Sequence, residues 1–497
     1  MAAKAQPHDD HQLHLFFFPF MLPGHLIPMT DIARIFASHG TKATIIATPQ
    51  NISRFQSIID RDDHHQSINI LKIDFPFAAA DLPPNCESLD NLPSRGLTYN
   101  FSKANSMLHP QADDLVSRYR PDAIVSDLNL PWTAEIAHKY GIPRFTFNGT
   151  CCFSLCLTMA ASQHKPNVKV NSETEPFFVP GLPDPVYITL SQLPDRFFGK
   201  TGLDEFFEKI FEAERDTCGV VSNTFFEIEP EYVKLYEKVT GKFVYPVGPV
   251  SLFNTKTRDV AERGNKASIG EDYCVSWLDS KEPNSVLYVC FGSLCEFTES
   301  QLLEIASGLE ASEVSFIWVV KDSEKFKFLT EEFEERIKER SGILIKGWAP
   351  QVLILNHPSV GGFMTHCGWN SVLESVSSGV PMITWPLFAE QFYNENLVVT
   401  RLKIGIAIGV EQGLAWGEEE KIGVLIKRDR VEEVVTRFMK GGGGQNLEVE
   451  EMRKRVSELG ELARLAVNKG GSSYVNVDNL ITDLSKHRRN HRVTLLE

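Results

Sequence analysis

Several things that would fix the chemistry at once are missing from this sequence. No Cys-x-x-Cys pair occurs among its nine cysteines. An odd number cannot pair completely, so neither a zinc ribbon nor a full disulfide framework is expected. Reduced, mostly buried thiols in a cytoplasmic protein are the plain expectation, with Cys151, Cys152 and Cys156 clustered on one apolar segment. No Gly-x-Gly-x-x-Gly follows a strand-like run, which counts against a nicotinamide-dependent oxidoreductase. Positive charge is in deficit, with a formal net charge of −15. Nucleic-acid partners need a basic footprint, so none is expected, although one anionic small molecule in a local pocket is compatible. The apolar run "LFFFPFMLP" is too short to span a bilayer and lacks the basic start of a signal peptide, so no integral membrane segment is expected.

What is present is a chain of 497 residues, too long for one ordinary core, with 42% hydrophobic and 23% charged residues. Strand-like and helix-like segments alternate. Residues 14–20 read as a buried strand, 27–40 as a helix stopped by Gly40, and 41–48 as a strand again. "DAIVSD", "PWTAEIAHKYG" and "IPRFTF" repeat the order, and it restarts at "SVLYVCFGS". Such alternation predicts an α/β protein of two doubly wound, Rossmann-like domains that face each other across a cleft. Residues 1–251 form the expected N-terminal domain, and the polar, aperiodic stretch 252–272 the linker. Residues 273–470 form the second domain, and 471–497 a C-terminal helix and tail packing back on the first. The "GGGG" at 441–444 reads as a loop, and "KHRRNHR" as a solvated basic tail.

The stretch "THCGWNS" poses the sharpest question. As a metal site it is poor, because His366 and Cys367 are adjacent and no second ligand pair stands nearby. As a nucleophile Cys367 lacks a helper acid. The local order is strand, turn, helix. Gly368 permits close backbone approach, and the free amides at Asn370 and Ser371 start a helix, so the geometry suits a diphosphate, with His366 as a further donor. Taken alone, the spacing from Ser371 to Glu374 favours a capping box over a ligand contact for Glu374.

The wider run is "WAPQVLILNHPSVGGFMTHCGWNSVLESVSSGVPMITWPLFAEQ". It closely resembles, without a gap, the C-terminal signature of plant UDP-dependent glycosyltransferases acting on small secondary metabolites. "FPFMLPGHLIPMTDIARIFASHG", "IVSDLNLPW" and "YPVGPV" extend the resemblance over nearly the whole chain. It implies the GT-B fold, and it implies roles. Trp348 stacks on uracil, Ala349 bonds the base through its backbone, and Gln351 and Glu374 reach the ribose. Ser293, His366, Gly368, Asn370 and Ser371 hold the diphosphate. Trp369 lines the sugar site, where packing is the equal alternative. Glu390 and Gln391 grip the sugar hydroxyls, and the terminal Gln391 resembles glucose users. UDP-xylose, UDP-galactose and UDP-glucuronate are the alternative donors.

Transfer from an α-linked UDP-sugar requires a base, and the resemblance assigns it to His25 of "PGHLIP", read as lying between the first strand and the first helix. A neutral imidazole has a suitable pKa. Asp127, closing "DAIVSD", is the partner that would fix its tautomer, much as an acid orients the histidine of a hydrolase triad. On residues alone, His25 is an ordinary loop histidine and Asp127 a helix-start acid. Single displacement predicts a β-linked O-glycoside. With helix amides stabilising the leaving diphosphate, no metal and no cofactor are expected; the UDP-sugar is a co-substrate. Relatives use a Ser or Thr for the sugar 6-hydroxyl, and whether Gly149 or Thr150 serves here is open. The acceptor pocket is expected from Phe20, Leu130, Trp132, Thr150, Phe153, Phe197, Phe198 and Phe206, with Phe388 from the other domain. The branch resembled takes flavonoids and other phenolics, or triterpenoid and steroidal aglycones. A monomer that binds UDP-glucose and a small hydrophobic acceptor is expected, with a non-catalytic metabolite-binding relative as the rival.

Overall fold

A computed structural model describes residues 12–165, 170–194, 197, 204–321, 330–339, 342–414, 423–440 and 446–494. The expected positions Phe198 and 441–444 lie outside them. Among the described residues, fifteen strands follow one another. The first nine are β1 (His14–Phe18), β2 (Lys42–Ala47), β3 (Ile68–Lys72), β4 (Ala123–Asp127), β5 (Arg144–Asn148), β6 (Phe177–Val179), β7 (Val186–Ile188), β8 (Gly219–Ser222) and β9 (Phe243–Pro246). The rest are β10 (Val286–Cys290), β11 (Ser315–Val320), β12 (Gly342–Lys346), β13 (Val360–Thr365), β14 (Met382–Thr384) and β15 (Gly405–Ala407). The first sheet has the order β3-β2-β1-β4-β5-β8-β9 and the second β12-β11-β10-β13-β14-β15, while β6 and β7 form a separate antiparallel pair.

Both large sheets are parallel and buried on both faces, which is why their strands read as continuous apolar runs such as "HLFFF" and "VLYVC". Each sheet reverses direction of growth beside its first strand: between β1 and β4 in one, between β10 and β13 in the other. Loops leaving the carboxyl ends of two such strands diverge and open a crevice. Register places Phe18 opposite Ser126 and Cys290 opposite Thr365. His25 and Asp127 therefore follow the two strand ends of one crevice, and Ser293 and His366 those of the other.

Three expectations change. The first helix spans Pro23–Ser38, starting before residue 27, so His25 sits in its first turn and not in a loop. Pro23 lies in the helix start, where its missing N–H costs nothing and its fixed φ favours the turn. Stretch 252–272 is not solvated coil. Thr257–Ala261 is helical, with Asp259, Val260 and Ala261 buried, and Arg61 pairs with Asp259 at 3.1 Å. Its polar residues are charge partners, which is why no apolar period shows. The basic tail belongs to the helix Ser472–Thr494, where Arg488 lies 3.6 Å from Asp122.

That helix packs on the first sheet. Val477, Leu480 and Leu484 join the cluster containing Phe16, Phe17 and Tyr245, and Tyr245 donates to Asp483 at 3.1 Å. A second apolar cluster crosses between the two sheets' domains, with Phe153 and Leu157 in the same packing group as Trp369, Leu373 and Tyr393. Among the described residues, no helix is long and apolar enough to cross a membrane. Leu480 is fully buried and Leu465 is 61% exposed. Leu480→Ala should therefore cost about 2–5 kcal/mol, and Leu465→Ala about 0.5 kcal/mol or less, read as urea midpoints followed by tryptophan fluorescence.

Candidate active site and donor cradle

His25 Nδ1 lies 2.6 Å from Asp127 Oδ2. The carboxylate is fully buried, while the imidazole keeps 20% of its surface exposed. Asp127 Oδ1 accepts from the Asn129 backbone N–H at 2.9 Å and from its side-chain amide at 3.0 Å, which fixes the carboxylate plane. Asp127 is thus not an N-terminal cap of Trp132–Tyr140; it ends β4 aimed at the imidazole. With Nδ1–H donated to the acid, Nε2 is left as the acceptor. Burial disfavours the charged ring, but the Asp127 charge, its hydrogen bond and Glu390 from the other domain together hold His25 above its ordinary pKa of 6.5.

The ring is walled on three sides. Phe20 and Phe147 meet it edge to face at 5.7 and 6.4 Å. Gly149 lies against it so closely that a Cβ there would come within 2.7 Å of Cε1. Gly149 therefore supplies room for the base, and it has no side chain to offer a sugar. The Thr150 hydroxyl is buried with no hydrogen-bond partner among the described residues.

Facing this, β13 ends at Thr365, Cys367 turns the chain with φ +67°, and Gly368 caps the helix Trp369–Ser377. The first helical bond runs from Val372 N–H to Gly368 O, so the amides of Trp369, Asn370 and Ser371 have no helical acceptor. Gly368 at the cap makes Ser371 the third helical residue, which removes the capping box. Glu374 instead accepts from Gln351 Nε2 at 2.8 Å and pairs with Arg263. His366 lies against Gly292, where a Cβ would stand 2.6 Å from its Nε2, and against Gly368. Burial pushes His366 down to about 4, and its Nδ1 has no partner among the described residues, so the neutral ring is favoured. Ser293, half-buried, follows Gly292 at the end of β10. Cys367 is fully buried and its thiol is pushed well up by burial, which rules out a nucleophile at neutral pH.

The remaining expected residues divide. Gln351 also donates to Ser371 Oγ at 3.1 Å and accepts from Tyr288 at 3.3 Å, so Gln351, Ser371 and Glu374 form one polar cluster. Trp348 is half-buried and its Nε1 has no partner among the described residues, and Ala349 O is taken by Gln351 N–H at 2.8 Å. Gln391 Oε1 accepts from the Leu387 and Phe388 amides at 2.8 and 3.2 Å, leaving only its Nε2 to reach a sugar. Trp369 is 2% exposed, and its Nε1 donates to Asn223 O at 2.7 Å, so its ring packs at the domain interface, the equal alternative for this residue. Trp132, Leu130 and Phe153 are each nearly or fully buried among apolar neighbours. Phe197 and Phe388 are partly buried against the cores. Phe206 meets Phe207 at 6.0 Å, and Phe20 meets Phe101 at 5.9 Å beside the base.

Sequence reasoning missed two groups. Asn223 donates from Nδ2 to Asn370 Oδ1 at 3.1 Å, and Asn370 Nδ2 donates to Gly24 O at 2.6 Å. Arg263, in the expected linker, reaches Glu374. Neither lies in a recognisable motif. Since a methyl at 149 would push the imidazole away from its acid, Gly149→Ala should cut turnover by about 100-fold while the melting temperature falls little. Steady-state kinetics beside a thermal melt would check this, and unchanged kcat would contradict the close contact.

The profile of the family "UDP-glucoronosyl and UDP-glucosyl transferase" matches residues 243–411. The chain is 47% identical to UDP-glycosyltransferase 73C3 of Arabidopsis thaliana over 97% of its own length and 98% of that protein. It is 46% identical to UDP-glycosyltransferase 73C11 of Barbarea vulgaris over 96% of its own length and 97% of that protein. Among solved structures, Glycyrrhiza uralensis UGT73P12, complexed with glycyrrhetinic acid 3-O-monoglucuronide, superposes with a TM-score of 0.91 at 40% identity, over 98% of both chains. Medicago truncatula UGT71G1, complexed with UDP-glucose, gives 0.77 at 25% identity over 95% of this chain and 98% of that one. Two Rossmann-like domains of the GT-B fold and nearly full-length identity lead to one conclusion: the chain belongs to the plant UDP-glycosyltransferases and is a glycosyltransferase enzyme.

Proposed function

We propose that this enzyme transfers glucose from UDP-glucose to a hydroxyl of a small hydrophobic plant metabolite, with inversion and without a metal. The observation that carries the reading is the 2.6 Å contact between His25 and the buried Asp127, at the crevice that faces the amide cradle. The acceptor O–H gives its proton to His25 Nε2 as its oxygen attacks the anomeric carbon. The bond from that carbon to the diphosphate oxygen breaks, and its electron pair leaves with UDP. Asp127 stabilises the imidazolium that results. The amides of Trp369, Asn370 and Ser371, with His366 and Ser293, oppose the charge that grows on the leaving group. One such donor is typically worth about 2.7–4 kcal/mol at a transition state. Attack opposite an α-linked leaving group gives a β-glucoside.

Trp348 as the uracil platform, Gln351 and Glu374 at the ribose, and Glu390 with Gln391 Nε2 at the sugar complete the reading. UDP-glucose is favoured by the terminal Gln391, and it is the donor bound in UGT71G1. The half-buried Phe20 beside the base suits a bulky apolar acceptor. The ligand of UGT73P12 favours a triterpenoid over a flavonoid.

The testing experiment is a product assay by mass spectrometry. It combines the protein with flavonoids, simple phenols, triterpenoids and sterols, each UDP-sugar in turn, with and without EDTA. A β-linked hexose adduct from UDP-glucose, unaffected by EDTA and reduced about 100-fold or more in His25→Ala, is expected. Adducts only from UDP-xylose, UDP-galactose or UDP-glucuronate would overturn the donor. Full turnover in His25→Ala would overturn the base. Acceptor-independent UDP binding with no product would favour the binding-protein rival.

A further inference from the structure

The segment between the domains contributes one buried cation to the site. Arg263 Nε donates to Asp31 Oδ2 at 2.8 Å, and its Nη1 bonds Glu374 Oε1. The guanidinium is 8% exposed, and the two carboxylates are 3% and 6% exposed. Asp31 lies on Pro23–Ser38, the helix that starts with His25, and Glu374 on Trp369–Ser377, the helix that starts with the amide cradle. One planar fork thus joins the helices that bear the two halves of the chemistry. Desolvation disfavours the cation, but the two acids outweigh it and hold Arg263 charged.

The residues that follow press on the nucleoside end. Gly264 has φ +98°, and a Cβ there would come within 2.5 Å of Trp348 Cζ2 and 2.8 Å of Ile27 Cδ1. Ser268 N–H donates to Trp348 O at 2.8 Å, and Trp348 N–H donates to Ser268 Oγ at 3.0 Å. Asp31 has other partners, Asn254 at 3.1 Å and Arg34 at 3.3 Å, whereas among the described residues the Glu374 carboxylate has Gln351 besides Arg263. Loss of Arg263 would therefore leave Glu374 as the less supported acid.

We propose that Arg263 is a positioning residue for the sugar donor: it fixes the Glu374 carboxylate for the ribose hydroxyls and ties that carboxylate, through Asp31, to the helix carrying His25. The proposal rests on the ribose reading of Glu374 given above. Lysine cannot replace it, because a single ammonium lacks the planar fork that addresses two carboxylates at once.

The test is calorimetric titration of the full-length protein with UDP, with donor and acceptor KM measured separately, in Arg263→Lys, Arg263→Gln, Glu374→Gln and the double variant Arg263→Gln/Glu374→Gln. Arg263→Lys keeps the buried charge and guards against misfolding, and a thermal melt accompanies each variant. Both Arg263 variants should weaken UDP and raise donor KM on the order of tenfold, with acceptor KM unmoved. The double variant should bind UDP no more weakly than Glu374→Gln alone. A stably folded Arg263→Lys and Arg263→Gln that bind UDP as tightly as the wild type, while Glu374→Gln weakens it, would overturn the proposal alone. Glu374→Gln binding UDP like the wild type would overturn the ribose reading and the proposal with it.

Discussion

One carbonyl organises the cleft. In the helix Pro23–Ser38, the acceptor four residues before Pro28 is Gly24 O, and proline has no N–H to give it. A buried carbonyl left unpaired is costly, and Asn370 Nδ2 supplies the missing donor at 2.6 Å from the facing domain. Asn223 then holds Asn370 through its Oδ1 and accepts from the Trp369 indole. The residue after Gly24 is His25, and the residues around Asn370 are the cradle. A proline defect in one helix is thus completed by the first turn of another, and the completion sets His25 opposite the free amides of that turn. Asn394 supports the same turn from behind, donating to Cys367 O at 2.8 Å while accepting from Ser154 at 2.8 Å.

The two histidines of the cleft show how position decides chemistry. Each is half-buried, and desolvation alone disfavours the charged ring. His366 has no acid beside it among the described residues, is pushed down to about 4 by burial, and is suited to donate a hydrogen bond to an anion. His25 has Asp127, which favours its charged form and holds its pKa above the ordinary value. A residue that must accept a proton and return it needs the second environment, and one that must only hold an oxygen needs the first. The sheet topology makes both possible, because each crevice receives loops from two adjacent strand ends.

Much of this was legible because parallel sheets leave plain traces. The runs around Phe16, Ile124 and Val289 are largely apolar, and "THCGWNS" begins at the last residue of another buried strand, β13. Helix starts were less legible: Pro23 read as a loop residue, so His25 was placed before the first helix when it belongs to its first turn. Aromatics were ambiguous in principle. Trp369, Trp132 and Phe153 have the composition of a ligand pocket and the burial of a core, and only packing separates the two. Glu374 fits a cap by spacing, yet Gly368 takes the cap. Arg263 and Asn223 were invisible, since their partners Asp31, Glu374 and Asn370 are remote in sequence and a polar stretch resembles solvated linker until its charges are seen to pair.

The central claim is that Asp127 sets the charge state and tautomer of His25. It is tested most directly by an NMR titration of the His25 imidazole, using nitrogen-labelled histidine, in the wild type and in Asp127→Asn. The account predicts a wild-type midpoint above 6.5 with the neutral form protonated at Nδ1. In Asp127→Asn it predicts a lower midpoint, because the burial penalty then stands without its charge partner. Equal midpoints in the two proteins, or a neutral ring protonated at Nε2, would contradict it.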